Sequence, residues 1–425
     1  MSPQLTNVDV LVVGGGPAGI AAGARAAEQG VRVCVIDEGF GPGGQIWRPS
    51  LVSSAPSAAQ RWRRRLTASG ADVRSSSSVV DVQSRSAGGF VATIMCAGRP
   101  EQIEAQRLII ATGARERFLP FPGWTLPNVF GIGGAQALVK TGMSVRGRRV
   151  VIAGSGPLLL PVAASLRHAG ATLVTVAEQA SLASVTRFTA SLWRRPQMLV
   201  QAALLRSAFM ATRYQCGTWI VGASGDSSVR SVTVTDGRTT RELECDILCA
   251  AFGLVPNTEL ARLVGCSVAD GKVVVDERQA TSVEGIFCAG EPTGIGGVDL
   301  CLIEGEIAGA AATDAPVSGQ LIAWRASFTR YARLLERAFA LRPELMSLTK
   351  PDTIVCRCED VRLCDLERAW TAREAKLYTR AGMGPCQGRI CGAALESIMG
   401  WRNDSVRPPV QPTPLAAMLG DDQTR

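Results

Sequence analysis

At 425 residues the chain is two to three times as long as a domain of roughly 100–200 residues, so it has material for several cores and is not one small module. Hydrophobic residues make up 46% and charged residues 19%, with 45 glycines, which excludes a disordered or fibrous chain. The formal charge of +8 hints at phosphate partners, but only four of the 45 basic residues are lysine, and the one dense cluster, Arg61, Arg63, Arg64 and Arg65 around Trp62, reads as a solvated helix face; no nucleic-acid partner is expected.

The opening reads as a strand over Val8–Val13, a glycine turn over Gly14–Gly19, an alanine-rich helix to about Gln29, and a strand over Val31–Asp37. The same grammar returns between Val150 and Glu178, and two such βαβ units in one chain predict two nucleotide-binding domains. Between them, residues 72–112 hold short alternating runs, Phe90–Met95 and Leu108–Ala111, suited to a small antiparallel element and a returning strand. Residues 180–213 form an insertion with helical spacing and bulky side chains (Phe188, Leu192, Trp193, Met198, Leu199, Leu204, Leu205) that suits either core or a partner surface. Strands are expected at 218–252 and 272–290, then a helix from about Val298 to Ala312 that returns to the first domain. Beyond Ala315 an Arg-rich helical stretch (321–341) leads to a Cys-rich unit from Thr353 to about Trp401, and Val406–Pro414 reads as a polyproline tail ordered against a partner.

The fold class is therefore α/β, with two Rossmann-like dinucleotide-binding domains and a small C-terminal helical domain. The expected divisions are 1–120 with 245–315, 121–244, a helical linker at 316–350, the Cys-rich domain at 351–402 and the tail at 403–425. The single histidine, His168, ends a predicted helix whose dipole favours a cation, so a His metal triad or a Ser-His pair has no material. Thirteen cysteines, an odd number, and a start (Met1–Asn7) without the basic stretch or apolar core of a secretory signal point to a reducing cytoplasm. The longest apolar stretch, Val150–Leu166, is broken by Gly154, Gly156, Pro157 and Pro161 and is shorter than the roughly 20 residues a bilayer requires, so no membrane span is expected.

In Gly14-x-Gly16-x-x-Gly19 the first glycine allows a tight turn, the second lets backbone approach a pyrophosphate, and the third lets helix pack on strand. Asp37, 23 residues after Gly14, closes the second strand with an acid suited to ribose hydroxyls. Three further segments, Pro42-Gly43-Gly44-Gln45, Ala111-Thr112-Gly113-Ala114 and Ile286-Phe287-Cys288-Ala289-Gly290-Glu291, appear in the order found in the two-dinucleotide-binding-domain flavoproteins, which include glutathione and thioredoxin reductases. The chain resembles that family. The resemblance implies FAD held by Gly14, Gly16, Pro17, Ala18, Gly19, Asp37, Gly44, Gln45, Ala111, Thr112, Gly113, Gly290, Glu291, Gly297 and Val298, with Glu291 where an Asp is more usual.

The dithiol of the disulfide reductases is missing. No CxxC or CxxxxC pair stands at 39–48 or in the second domain, and Cys245 and Cys249, four apart on a predicted strand, match neither family position. The second motif, Gly154-Ser155-Gly156-Pro157-Leu158-Leu159, puts Leu159 where a third glycine belongs, which argues against hydride transfer from NAD(P)H. It leaves open an adenine nucleotide on Gly154, Ser155, Gly156 and Leu158 with Glu178 near its ribose.

Cys356-Arg357-Cys358 and Cys386-Gln387-Gly388-Arg389-Ile390-Cys391, 27 residues apart, form a CxC…CxxxxC set whose four thiolates suit an iron–sulfur cluster or a tetrahedral zinc. Gly384, Gly388 and Gly392 supply turns that let amides face sulfur; Cys364 and the remaining eight cysteines read as buried small residues. The wording CRCED…TRAGMGPCQGRICG resembles the bacterioferritin-associated-ferredoxin-like [2Fe-2S] domain. The two halves together resemble the α subunits of opine oxidases, hydroxyproline dehydrogenases, hydrogen cyanide synthase and their dye-linked proline dehydrogenase relatives.

That resemblance implies an electron-transfer subunit in a hetero-oligomer. Amino- or imino-acid oxidation would occur on a flavoprotein β subunit of the D-amino-acid-oxidase-like type, with FMN at the α–β interface, a small ferredoxin-like γ subunit, and a quinone or dye-type acceptor. No residue here stands out as a substrate base, in keeping with that division. The rival readings are a stand-alone NAD(P)H-dependent ferredoxin or dye reductase and a non-catalytic scaffold that holds nucleotide and zinc.

Overall fold

The structure, a computed structural model, describes residues 5–48, 57–402 and 406–415. It divides into two compact units. One combines the chain up to Arg115, Val255–Ala332 and the described tail; the other combines Glu116–Leu254 with the segment that starts at Arg333.

Val10, Leu11, Val12 and Val13 form an unbroken apolar run, as expected of a strand covered on both faces, and all four are buried. Their strand, Leu5–Val13, pairs in parallel with Val33–Ile36 on one side and Arg99–Ile110 on the other. Asp72–Arg74 and Ile286–Cys288 extend the parallel part, while Ser77–Ser84 and Phe90–Cys96 fold antiparallel onto the first half of Arg99–Ile110. Helix Pro17–Ala27 is rich in alanine and glycine because helix Val298–Ala311 crosses it almost backbone to backbone. A side chain at Gly305 would strike the Ala18 carbonyl, and one at Gly309 the Ala22 carbonyl.

The arginine cluster is more than a solvated face. Arg63 Nε donates to the Pro42 carbonyl at 2.7 Å, and Arg65 pairs with Glu28 at 2.7 Å and with Glu306, so two of the four arginines brace loops and helices of the first unit. The described part of the Pro-rich tail is also engaged internally. Val410 N donates to Val80 O at 2.8 Å and Gln411 Nε2 to Glu38 Oε2 at 3.4 Å, which overturns the expectation that it orders only against a partner; the rest of 403–425, namely 403–405 and 416–425, lies outside the described residues.

The second unit holds five parallel strands in the order Arg213–Cys216, Thr172–Glu178, Arg149–Gly154, Ile247–Ala251, Val129–Gly131. Because Ile247–Ala251 sits inside this sheet, the chain leaves the unit at Val255 and not at the expected 245. A three-stranded antiparallel sheet, Trp219–Ser224, Ser231–Thr235 and Thr240–Glu244, lies in the same unit. The insertion forms helices Leu182–Ser191 and Pro196–Ser207; Phe188 and Leu192 turn inward, whereas Trp193, Val200 and Leu204 are exposed. The Cys-rich stretch builds a small core of its own around Val355, Val361, Leu366, Ala375, Leu395 and Trp401. It is tied to the rest of this unit by Trp124 Nε1, which donates to Ile354 O at 2.6 Å. Among the described residues no helix is long and apolar enough to cross a membrane.

Candidate functional site

In an open parallel sheet ligands bind outside the carboxyl ends of the strands, and in the first unit those ends carry Gly14, Asp37, Ala111 and, one residue beyond Ala289, Gly290. Gly14 has φ +108°, and a side chain on it would strike the Ala111 carbonyl, so this glycine serves strand packing. Gly16 differs. A Cβ there would meet only Gly44 Cα, at 3.9 Å, which leaves an open space above the loop. Gly16 also starts helix Pro17–Ala27 without a side-chain cap, so first-turn amides, those of Ala18 and Gly19 among them, remain free for an anion. The Pro42–Gln45 loop forms the far wall: Gly43 N donates to Gly15 O at 2.7 Å, and Gly44 adopts φ +57° beside Gly16. Gln45 is exposed and accepts from Arg48 at 2.8 Å.

Asp37 is buried, with Oδ2 accepting from Gly15 N at 2.6 Å and Oδ1 from Gly39 N at 2.7 Å. Each oxygen keeps acceptor capacity for a ribose hydroxyl. Thr112 and Gly113 are braced by Asn257, 145 residues beyond Thr112: Thr112 Oγ1 donates to Asn257 O at 2.8 Å, Asn257 Nδ2 to Thr112 O at 2.9 Å, and Asn257 N to Gly113 O at 3.0 Å. Gly290 N donates to the buried Glu304 carboxyl at 2.9 Å. Burial raises the pKa of the neighbouring Glu291, whose carboxyl has no hydrogen-bond partner among the described residues. Gly297, at φ +80°, begins helix Val298–Ala311 without a side-chain cap, a second open helix start in this unit. Free amides, an unfilled glycine cradle and an unpartnered half-buried carboxyl are the donors and acceptors that FAD, a pyrophosphate-linked polyol, requires, and the residues fit it.

In the second unit Gly154, Ser155 and Gly156 follow strand Arg149–Gly154 as expected, and Glu178 ends the next strand. Glu178 is fully buried, accepting from Gly156 N and Ala180 N, both at 2.8 Å, and from the Tyr214 hydroxyl; burial pushes its carboxyl up to about 7. Leu159 is buried in the core of the unit, where it fills the volume a third glycine would leave, and Leu158 is exposed. Cys245 and Cys249 are both buried, and burial pushes the Cys249 thiol up to about 12, as befits an inert core residue. His168 is exposed at the end of helix Leu159–His168.

The four cysteines of the C-terminal set line one cavity of about 260 Å³, together with Glu116, Phe118, Trp124 and Ile390. They meet as two pairs, Cys356 with Cys391 and Cys358 with Cys386. The hydrogen bond from Cys391 holds the Cys356 thiol below its ordinary value, helped by the amides of Gly382, Glu359 and Cys358; Gly382 N stands 3.4 Å from the sulfur. The amides of 358, 359 and 382 face the Cys356 sulfur, and the amide of Cys386, within the turn that Gly384 opens, faces the Cys358 sulfur, so that turn does bring an amide to sulfur as expected. Gly384 serves fit: a side chain there would strike Cys358 Cβ. Cys364 is exposed, against the expectation that it is buried, while six of the other cysteines outside the set are buried. Among the described residues no three Cys, His or acidic side chains converge on one ion.

Sequence reasoning missed Glu116. Its carboxyl takes the amides of Gly133 and Gly134 at the start of helix Ile132–Lys140, and burial raises its pKa. Nothing in its local sequence marks it, because both its helix cap and the cysteine cavity are long-range.

Residues 8–306 match the pyridine nucleotide-disulphide oxidoreductase family. The chain belongs to that family, a class of oxidoreductases that fold around FAD and nicotinamide nucleotides. It is 34% identical to an opine oxidase subunit of Rhizobium meliloti (strain 1021), over 96% of this chain and 97% of that protein. Hydrogen cyanide synthase subunit HcnB of Pseudomonas aeruginosa is 32% identical over 97% of this chain and 98% of its own length. The fold also matches the L-proline dehydrogenase from P. horikoshii, with a TM-score of 0.68 at 19% identity over 98% of this chain and 80% of that one. The two sequence relatives bear out the resemblance to the opine oxidase and hydrogen cyanide synthase subunits, and the proline dehydrogenase bears out the fold.

Proposed function

We propose that the chain is the electron-transfer subunit of a heteromeric FAD-dependent dehydrogenase acting on the CH–NH bonds of amino or imino acids. The observation that carries this reading is the gathering of Cys356, Cys358, Cys386 and Cys391 on one cavity, in a chain that also builds a flavin cradle. The cysteines stand as two pairs, which suits two irons with two thiolates each better than one tetrahedral ion. When bound, FAD exchanges electron pairs and a [2Fe-2S] cluster single electrons, the combination needed to serve a one-electron or quinone-type acceptor. In the first unit Gly16, Gly19, Gly44, Asp37 and Glu291 would hold and orient the flavin nucleotide, with Gly14 packing the strand that carries the loop. In the second, the amides of Cys358, Glu359 and Gly382 favour the thiolate of Cys356, while Phe118 and Trp124 line the same cavity.

The relatives, subunits of opine oxidase and hydrogen cyanide synthase, support a partner that oxidises the substrate. We assign that role to a flavoprotein β subunit, with FMN between the two chains and a small ferredoxin-like subunit completing the complex. The substrate is an opine, hydroxyproline, proline or glycine, and the site of action is the cytoplasm. Chain purified without oxygen should carry iron and acid-labile sulfide in about a 2:2 ratio, as [2Fe-2S] chemistry dictates. Stoichiometric zinc with no sulfide sinks the reading and leaves a scaffold in its place.

A further inference from the structure

We propose that the second dinucleotide motif is a socket for the chain's own segment 339–342 and takes no coenzyme. The inference rests on contacts within the second unit and stands whether or not the cysteines hold iron. A working dinucleotide site leaves three features free: the polar groups of the glycine loop, the space beside its second glycine, and the acid that ends the second strand. Here each is taken. Ser155 Oγ donates to the Phe339 carbonyl at 2.8 Å. Gln179, itself buried, donates from Nε2 to Ser155 Oγ at 2.8 Å and to the Ala340 carbonyl at 3.0 Å, and its Oε1 accepts from Arg342 N at 3.1 Å.

The side chain of Phe339 stands in van der Waals contact beside Gly156. Phe339 Cγ lies 3.9 Å from where a Gly156 Cβ would stand, which is the approach a pyrophosphate needs. The ring is held edge-on against Phe188, centroids 5.3 Å apart, and Arg342 lays its guanidinium over Trp219 at 3.6 Å. Glu178 takes two loop amides as Asp37 does, but it differs in having no exposed surface and in accepting a third donor, the Tyr214 hydroxyl. The glycines of this motif admit a peptide and a phenyl ring where a coenzyme would lie. The ligand class is therefore main-chain carbonyls flanked by one aromatic side chain, and it anchors the stretch that leads into the cysteine-bearing part of the same unit.

Hydrogen exchange on the full-length protein with its bound groups tests this, because Arg342 N reports directly on the bond to Gln179. We expect slow exchange across 339–342, unchanged by several millimolar NADH, NADPH or ATP. Gln179→Ala, which removes two bonds to the segment, should speed that exchange by about fivefold or more, the factor expected for a net hydrogen bond, with flavin content unaltered. Fast exchange of the segment in the unmodified protein overturns the proposal. So does its release by NADH or ATP with new protection at 154–156, and that titration decides the matter even if the variant folds poorly.

Discussion

Gly14 and Gly16 are equal partners in the motif as written, yet the structure gives them different work. At Gly14 an added side chain collides with the Ala111 carbonyl, so substitution there damages the sheet before any ligand is considered. Gly16 has φ −71° and ψ −175°, a conformation open to any residue, and faces only Gly44 Cα at 3.9 Å. Gly16→Ala should fold with near-native stability and yet bind FAD at least about tenfold more weakly, a difference on the order of 1.4 kcal/mol. The ratio of flavin to protein absorbance, read beside the melting temperature, checks it; full flavin content would move the pyrophosphate elsewhere. The glycines, Asp37 and the four cysteines were legible because their chemistry depends on short spacing. Asn257, Glu304 and Glu116 were not, since each acts on a loop far away in sequence, and Cys364 was misread because a small apolar residue carries no sign of which way it faces.

Among the elements, the strands that read cleanly are those buried on both faces, such as Val10–Val13, and the alternating pair around Phe90–Met95. Ile247–Ala251 was just as visible as a strand, but an apolar run is silent about which sheet it completes, and that silence displaced the domain boundary. The helix beginning at Val298 was legible in extent, although its reason for carrying Gly305 and Gly309 appears only in the crossing. The two glycines lie four apart on the face that meets Ala18 and Ala22. Gly305→Val forces a side chain onto the Ala18 carbonyl at the start of the flavin-cradle helix. An overpacked contact of this kind costs about 1–3 kcal/mol, and it displaces the helix start whose amides face the ligand. The variant should lose thermal stability and flavin together, and retention of both at wild-type levels would mean that the helices stand further apart than described.

At the scale of the whole molecule, the two glycine motifs and the cysteine set were readable from motif order, whereas the contacts of segment 339–342 with the second motif were not. Leu159 signalled a departure there, but Phe339 reaches Gly156 from 183 positions further on, a pairing that no local pattern encodes. On the proposed reading, the segment seated at the second motif and the absence of a flavin-side dithiol in the sequence point the same way: a nicotinamide has no seat, no thiol relay leaves the flavin, and electrons enter from the proposed partner protein. When the isolated chain is mixed anaerobically with NADH or NADPH, its flavin should stay oxidised. Together with the proposed partner flavoprotein, the flavin should bleach on addition of the correct amino or imino acid. Flavin absorbance in a stopped-flow instrument separates the two cases. Reduction of the lone chain by NADPH near 10 per second, the order of ordinary enzyme turnover, would falsify the subunit reading and make the protein a stand-alone reductase. A slow trickle, orders of magnitude below that rate, is what adventitious encounter with a flavin lacking a coenzyme seat would give.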